Sequence, residues 1–372
     1  MFLFLGIILD TFEAWGLIST SSTNNVEPSA RKIHDVAQMS RRKTPGSVKY
    51  LRLWRHWSVL AIDGIRGNLK QNLPHPVDED GFQELWFNLG VAADIGVMPS
   101  FEDAGARSGY ALEFFCRARL LADMLIDRQS LPDFMKLELD KCFYHDDTEE
   151  KVCRMGSIGG GPGFDFVSAV LVSIFNSRCE KPTSIHALVY DYEEGWNDIV
   201  NSMSISTADA LQVDNHFCKW GGRCDITESL SHENNHNLQK SVADMDLWVC
   251  QYCLAENSSK LRDNKFVFFT DLLVAAKEGA IIIITETTPR VWPDLIDALN
   301  DIPGLDIDVA FPRAMSGRGK KGPQLALRKQ VGSIVSKEVM LESEKYRKVN
   351  MMHERKLRKG FVRQVKKVRG AK

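Results

Sequence analysis

Between Lys151 and Asp165 the chain reads KVCRMGSIGGGPGFD, and this stretch restricts the fold more than any other. An apolar run of strand length (Val152, Met155, Ile158) breaks into Gly159-Gly160-Gly161-Pro162-Gly163. It resumes as Phe166-Val167-Ser168-Ala169-Val170-Leu171-Val172, the pattern of a buried helix. Strand, glycine turn, helix is the first half of a βαβ unit. Glycines belong there because the backbone turns at φ values that side chains resist, and because a ligand can then lie against bare backbone. Alone, such a run suits a nucleotide site or an ordinary turn.

Downstream, strands and helices alternate. Ser184–Tyr190 reads as a second strand ending in Asp191, 28 residues beyond Gly163, where a carboxylate suits two ribose hydroxyls. Gly222–Ile226 places Asp225 after a short strand, and Met245–Cys253 is a fourth. Ala280–Glu286 is a β-branched run expected of a strand buried on both faces. Leu305–Phe311 and Gln324–Lys329 read as a closing antiparallel pair.

With these residues in place, 151–331 resembles the class I S-adenosylmethionine (AdoMet)-dependent methyltransferases. The resemblance implies an α/β fold with a seven-stranded Rossmann-like sheet and S-adenosyl-L-methionine as cofactor. Gly159, Gly160, Gly161, Pro162 and Gly163 match the family's first motif, Asp191 its ribose-binding acid, and Asp225-Ile226 its adenine-side motif. Leu247–Asn257 (LWVCQYCLAEN) matches the segment facing the methyl group, which puts Tyr252 on the cofactor side. The family carries an acid for the methionine amine where Ser157 stands; Asp165 is the other source of that carboxylate. SIGGGPGFD, YDYEEGW, VCQYCLAEN and GPQLALRK also resemble the 25S ribosomal RNA uridine-N3 methyltransferase-like group. That finer match implies an N–H nucleophile needing a base or acceptor, for which Glu256 and Asn257 are the candidates; capping of the following helix is the alternative role. A nicotinamide site wants G-x-G-x-x-G with helix amides free for a pyrophosphate, and the glycine–proline run matches that less well.

Ahead of this unit, 48–150 reads as a helical cap. Stripes run through Leu51–Ile62, until Gly64 and Gly67 interrupt, then through Phe82–Ala93, Tyr110–Ile126 and Pro132–Cys142. No residue in them announces chemistry. Residues 1–47 form a variable segment and linker: Met1–Leu9 is apolar but lacks a basic leader, and Asp10 and Glu13 cut it short of a membrane span. Secretion and membrane insertion are therefore not expected.

Net charge, −2 overall, is informative once divided. Residues 313–372 hold 19 of the 47 Lys and Arg and 4 of the 49 Asp and Glu, leaving 28 and 45 for the rest: a body of −17 and a tail of +15. That asymmetry points to nucleic acid, with RNA, ribosomal in the finer resemblance, contacted through the basic tail 332–372 and the loop at 315–322. The same charges suit nuclear or nucleolar import, with the cytoplasm as the alternative.

Two further patterns compete for a metal, and neither is expected to hold one. His232-Glu233-Asn234-Asn235-His236 matches H-E-x-x-H but sits among poor helix formers, as a polar loop. Cys250 and Cys253 lie an odd number apart on a strand, facing opposite ways unless the strand ends between them. The eight scattered cysteines, several in apolar segments, fit reduced, buried thiols.

Overall fold

A computed structural model describes residues 47–95, 99–127, 131–143, 151–177, 182–286, 289–312, 324–330, 343–348 and 352. The N-terminal segment, the 315–322 loop and nearly all of the basic tail, with the readings made for them, lie outside the described residues.

Strands β1 (Val152–Ile158), β2 (Ser184–Asp191), β3 (Phe217–Arg223), β4 (Leu247–Gln251), β5 (Ile281–Thr285), β6 (Asp306–Ala310) and β7 (Leu325–Gln330) form one sheet in the order β3-β2-β1-β4-β5-β7-β6. The central strands are buried on both faces, β4 and β5 at every position. All neighbours are parallel except β7, which runs antiparallel to both β5 and β6. This is a seven-stranded Rossmann-like sheet with β7 reversed, as the resemblance implied.

Alternate strand residues serve two separate cores. Leu247, Val249, Ile281 and Ile283 join one, while Trp248, Cys250, Ile282 and Ile284 join the other. On the first face lie α6 (Phe164–Asn176) and α7 (Trp196–Leu211), and on the second α8 (His236–Ser241), α9 (Ser258–Asp263), α10 (Val267–Ala275) and α11 (Trp292–Asn300).

The helices before the sheet are α1 (Val48–Asn72), α2 (Glu79–Ile95), α3 (Ala104–Glu113), α4 (Cys116–Ile126) and α5 (Asp133–Phe143). Ser47 starts α1 by accepting a hydrogen bond from the Tyr50 amide at 3.3 Å, and Asp103 starts α3 from the Ala106 amide at 2.5 Å. They form a further layer outside α6 and α7, and share one continuous core with them. Helix α1 packs along α7, and α4 along α6. Trp54, Trp57 and Tyr50 of α1 surround Phe175, with ring centroids 5.0–5.2 Å apart. Trp54 Nε1 donates to Asp123 of α4 at 2.6 Å, and Ser168 Oγ of α6 donates to the Ala118 carbonyl at 2.7 Å. Helix α5 is tied to the sheet by Arg328 of β7, whose guanidinium bonds Glu138 at 3.0 Å and Asp308 of β6 at 2.5 Å.

Several elements depart from the periodicity reading. Helix α1 continues through Gly64 and Gly67, because packing against α7 outweighs the roughly 1 kcal/mol per glycine of lost propensity. The Tyr110–Ile126 stripe is two helices broken at Phe114, where Phe114 stacks on Tyr110 at 4.4 Å. The fourth strand stops at Gln251 because Tyr252 takes φ +59°, ending the ladder. His232–His236, expected as a polar loop, is partly helical: His232 caps a 3₁₀ turn and His236 opens α8, so the two imidazoles do not share a helical face. Among the described residues no helix is long and apolar enough to cross a membrane.

Candidate active site

The order of strands reverses between β1 and β4, and at such a switch point the C-terminal tips of parallel strands open a crevice. Every sequence-predicted site residue falls at or beside these tips.

The turn from β1 into α6 has Gly159, Gly161 and Gly163 at φ +58°, +49° and +93°, a region that disfavours side chains. Two of its glycines answer to close approach as well. A Cβ at Gly159 would strike the Cys253 sulfur, and one at Gly160 the Ser157 hydroxyl. At Gly161 the outer side is open, with nothing nearer than Trp196 at 3.7 Å, so a ligand can lie against that backbone. Pro162 occupies the turn, and Gly163 is the N-cap of α6.

Beneath the turn a buried network joins four elements. Ser157 Oγ donates to Asp165 Oδ2 at 2.5 Å, Gln251 Nε2 donates to Asp165 Oδ1, and Thr285 Oγ1 donates to Gln251 Oε1 at 3.2 Å. Burial pushes the Asp165 carboxyl up to about 6, with the Ser157 and Gln251 bonds and the Arg117 charge opposing. Asp165, in the first turn of α6, holds its carboxyl against the Ser157 hydroxyl. Both residues are sealed from solvent, at 0% and 1% exposure, so neither offers a free lone pair to the crevice.

Asp191, at the tip of β2, is half-buried and points to the glycine turn: its Oδ2 accepts from the Gly161 amide at 2.9 Å and its Oδ1 from the Glu193 amide at 3.0 Å. Burial raises it to about 6, those backbone bonds opposing. Asp225 and Ile226 follow β3. Asp225 is engaged in its own turn, accepting from the Thr227 amide at 2.9 Å and hydroxyl at 2.6 Å, and Ile226 is buried.

Beyond β4 the chain turns at Tyr252, whose positive φ in a residue with a bulky side chain marks local strain of the kind found at functional sites. Glu286 at the tip of β5 accepts from the Leu254 and Ala255 amides at 2.7 and 3.2 Å and fixes this loop. Asn257 donates to the Cys253 carbonyl at 2.9 Å and heads α9, so its amide serves the loop. Glu256 is half-buried, and burial pushes its carboxyl up to about 8; Arg117 opposes, while Glu286 and Asp191 add to the rise.

The helical layer contributes three residues that the sequence did not mark. Arg117 of α4 stacks its guanidinium over Tyr252 at 4.4 Å, Tyr110 at 5.0 Å and Phe114 at 5.1 Å, measured to ring centroids. Nothing in an amphipathic stripe separates this arginine from other surface cations. Gln251, by contrast, had a signal: an amide inside an otherwise apolar strand.

The seven cysteines among the described residues are free thiols. Cys250 and Cys253 do come together, since the strand ends between them, and hydrogen bonding between them pulls the two thiols in opposite directions. Cys218 and Cys224 do not join them, and among the described residues no three ligating side chains form a metal site.

No family model and no curated protein sequence matches the chain. Among solved structures the fold is similar to an S-adenosylmethionine-dependent O-methyltransferase from Thermotoga maritima: 12% identity, TM-score 0.31, 57% of this chain and 72% of that one. It is also similar to a carbon methyltransferase, DszA (11%, TM-score 0.35, 77% and 71%). A third likeness is to loganic acid methyltransferase with S-adenosylhomocysteine (12%, TM-score 0.29, 51% and 58%). Strand order, rather than these superpositions, defines the fold.

Proposed function

We propose that this protein is an AdoMet-dependent methyltransferase that methylates a base nitrogen of RNA, with uridine N3 of large-subunit ribosomal RNA as the specific target. The observation that carries the cofactor reading is the β1–α6 turn, with three glycines in the left-handed region and Asp191 hydrogen-bonded to Gly161 at the switch point. The open side of Gly161 suits a ligand lying flat, and Asp191 is placed to accept from ribose hydroxyls. Asp165 puts a carboxyl beneath the turn through Ser157 and Gln251. When bound, AdoMet supplies a methyl group on a sulfonium.

The protein's part is alignment and proton handling, because displacement at a methyl group gains most from proximity and orientation. Glu256 is the acceptor for the N–H proton, and burial holds it near the pH at which such a base works. The acceptor reading is supported by the +15 balance of residues 313–372, which suits phosphate contact. A nuclear or nucleolar location belongs to the same proposal.

Calorimetry with AdoMet and S-adenosylhomocysteine tests the cofactor. Wild type is expected to bind both, and Asp191→Asn to bind about tenfold more weakly, since a charged acceptor's hydrogen bonds contribute about 1.5 kcal/mol or more. Affinity should weaken as pH falls through about 6, where Asp191 takes up a proton. No affinity for either ligand overturns the cofactor reading. Cofactor binding without labelled-methyl transfer to total RNA overturns the acceptor.

A further inference from the structure

Arg117 and Glu256 are two complementary groups that, among the described residues, make no hydrogen bond or ion pair with each other. Among the described residues the Arg117 side chain takes part in no hydrogen bond or ion pair, and the Glu256 carboxyl in none. Both are half-buried. A guanidinium carries five donors in a fixed fork, and none of the Arg117 nitrogens is a buried atom lacking a partner, so its donors face solvent and are open to a ligand. What holds Arg117 is aromatic. Three ring faces from α3, from the α3–α4 break and from the β4 tip fix its plane. Burial would lower its basicity, but Tyr110, Tyr252 and Glu256 leave it raised, so it stays charged. Glu256 in turn feels the Arg117, Glu286 and Asp191 charges. Both groups stand at the β4 tip, Arg117 over the Tyr252 ring and Glu256 in the turn that follows, without closing into a salt bridge.

We propose that Arg117 and Glu256 together recognise a lactam or imide edge, an N–H beside a C=O, and that Arg117 is a catalytic residue contacting the methyl acceptor. The guanidinium donates to the carbonyl oxygen, and Glu256 accepts from the adjacent N–H. This deepens the base-methylation reading and rests on it. Exocyclic amines on adenine or cytosine present N–H beside a ring acceptor and would leave the guanidinium facing no carbonyl. In the transfer step the N–H bond breaks and its proton passes to the Glu256 carboxylate. Negative charge gathers on the carbonyl oxygen, and the Arg117 donors stabilise it there. The nitrogen lone pair then forms the N–CH₃ bond, the C–S electron pair stays on sulfur, and the sulfonium becomes a neutral thioether.

Full-length wild type, Arg117→Met, Arg117→Lys and Glu256→Gln decide the matter, with thermal melting to verify folding. Calorimetry should find AdoMet affinity of both Arg117 variants within about twofold of wild type, because Arg117 is not part of the cofactor cradle. Labelled-methyl transfer to RNA should fall on the order of 10²–10³-fold in Arg117→Met, the usual effect of losing one transition-state donor. Arg117→Lys, which keeps the charge without the fork, should lose less. In wild type the rate should rise with pH through about 8; Arg117→Met should move that limb higher, since Arg117 lowers Glu256, and Glu256→Gln should abolish it. A packing role alone would not move the limb. Nucleoside mass spectrometry should find the methyl on a ring nitrogen beside a carbonyl.

Transfer by a folded Arg117→Met at the wild-type rate, or a product methylated on an exocyclic amine, ribose or carbon, overturns the inference while leaving the methyltransferase reading standing. Should Arg117→Met fail to fold, an Arg117→Lys with wild-type rate and pH limb overturns it equally. If wild type binds no AdoMet, the cofactor reading itself has failed, and that outcome is told apart by calorimetry alone.

Discussion

At Asp165 a carboxyl group lies 1% exposed, with Ser157 and Gln251 both donating to it. Burial outweighs those bonds and lifts its pKa from 3.8 to about 6, so the folded protein holds this proton more tightly than the unfolded chain does. The resulting stabilisation is complete below 3.8 and is lost as pH rises through about 6. Urea unfolding of wild type and Asp165→Asn between pH 4 and 7 should show wild type losing up to about 3 kcal/mol relative to the variant. A difference that stays flat, or grows in the other direction, would contradict the burial argument. The sequence placed Ser157 and Asp165 together eight positions apart, within reach of one turn and one helix start. Gln251 was not connectable, because it stands 86 positions from Asp165 and only the β1–β4 pairing brings the two together.

Among the elements, β1 and β4 meet most tightly where Gly156 pairs with Trp248. Trp248 is fully buried, and a Cβ at Gly156 would enter its indole ring. Gly156→Ala therefore overpacks the sheet face behind the site and should lower stability by about 1–3 kcal/mol, read as an earlier thermal midpoint. An unchanged midpoint would mean that Trp248 has room to move. The strands were legible because alternation and β-branched runs report burial directly; β5 is IIIIT, buried at every position. Helix boundaries were less legible. Gly64 and Gly67 look like breaks in isolation, yet α1 gains enough from Trp54, Trp57 and Phe175 to run through them. At Phe114 the helix breaks, and its ring stacks on Tyr110 with Arg117 over both.

For the molecule as a whole, the division into a −17 body and a +15 tail makes a prediction about binding rather than folding. A chain ending at residue 348, which keeps Tyr346 packed on Phe311 and Arg347 bonded to Asp297, should keep its AdoMet affinity, while its RNA affinity falls and the slope of log affinity against log salt becomes shallower. Filter binding across a salt series measures this, and an unchanged slope would show that the tail makes no phosphate contacts.

The layer formed by α1 to α5 has a consequence for how such a protein can change. Because these helices and the α6/α7 face fill one core, neither side is a module that recombination could exchange. A chimera carrying a foreign cap would leave Phe175 and its neighbours without the tryptophans that now enclose them. Change at the strand tips from this side comes by substitution within the existing layer, at positions such as Arg107, which meets Glu193, and Arg117, which lies over Tyr252.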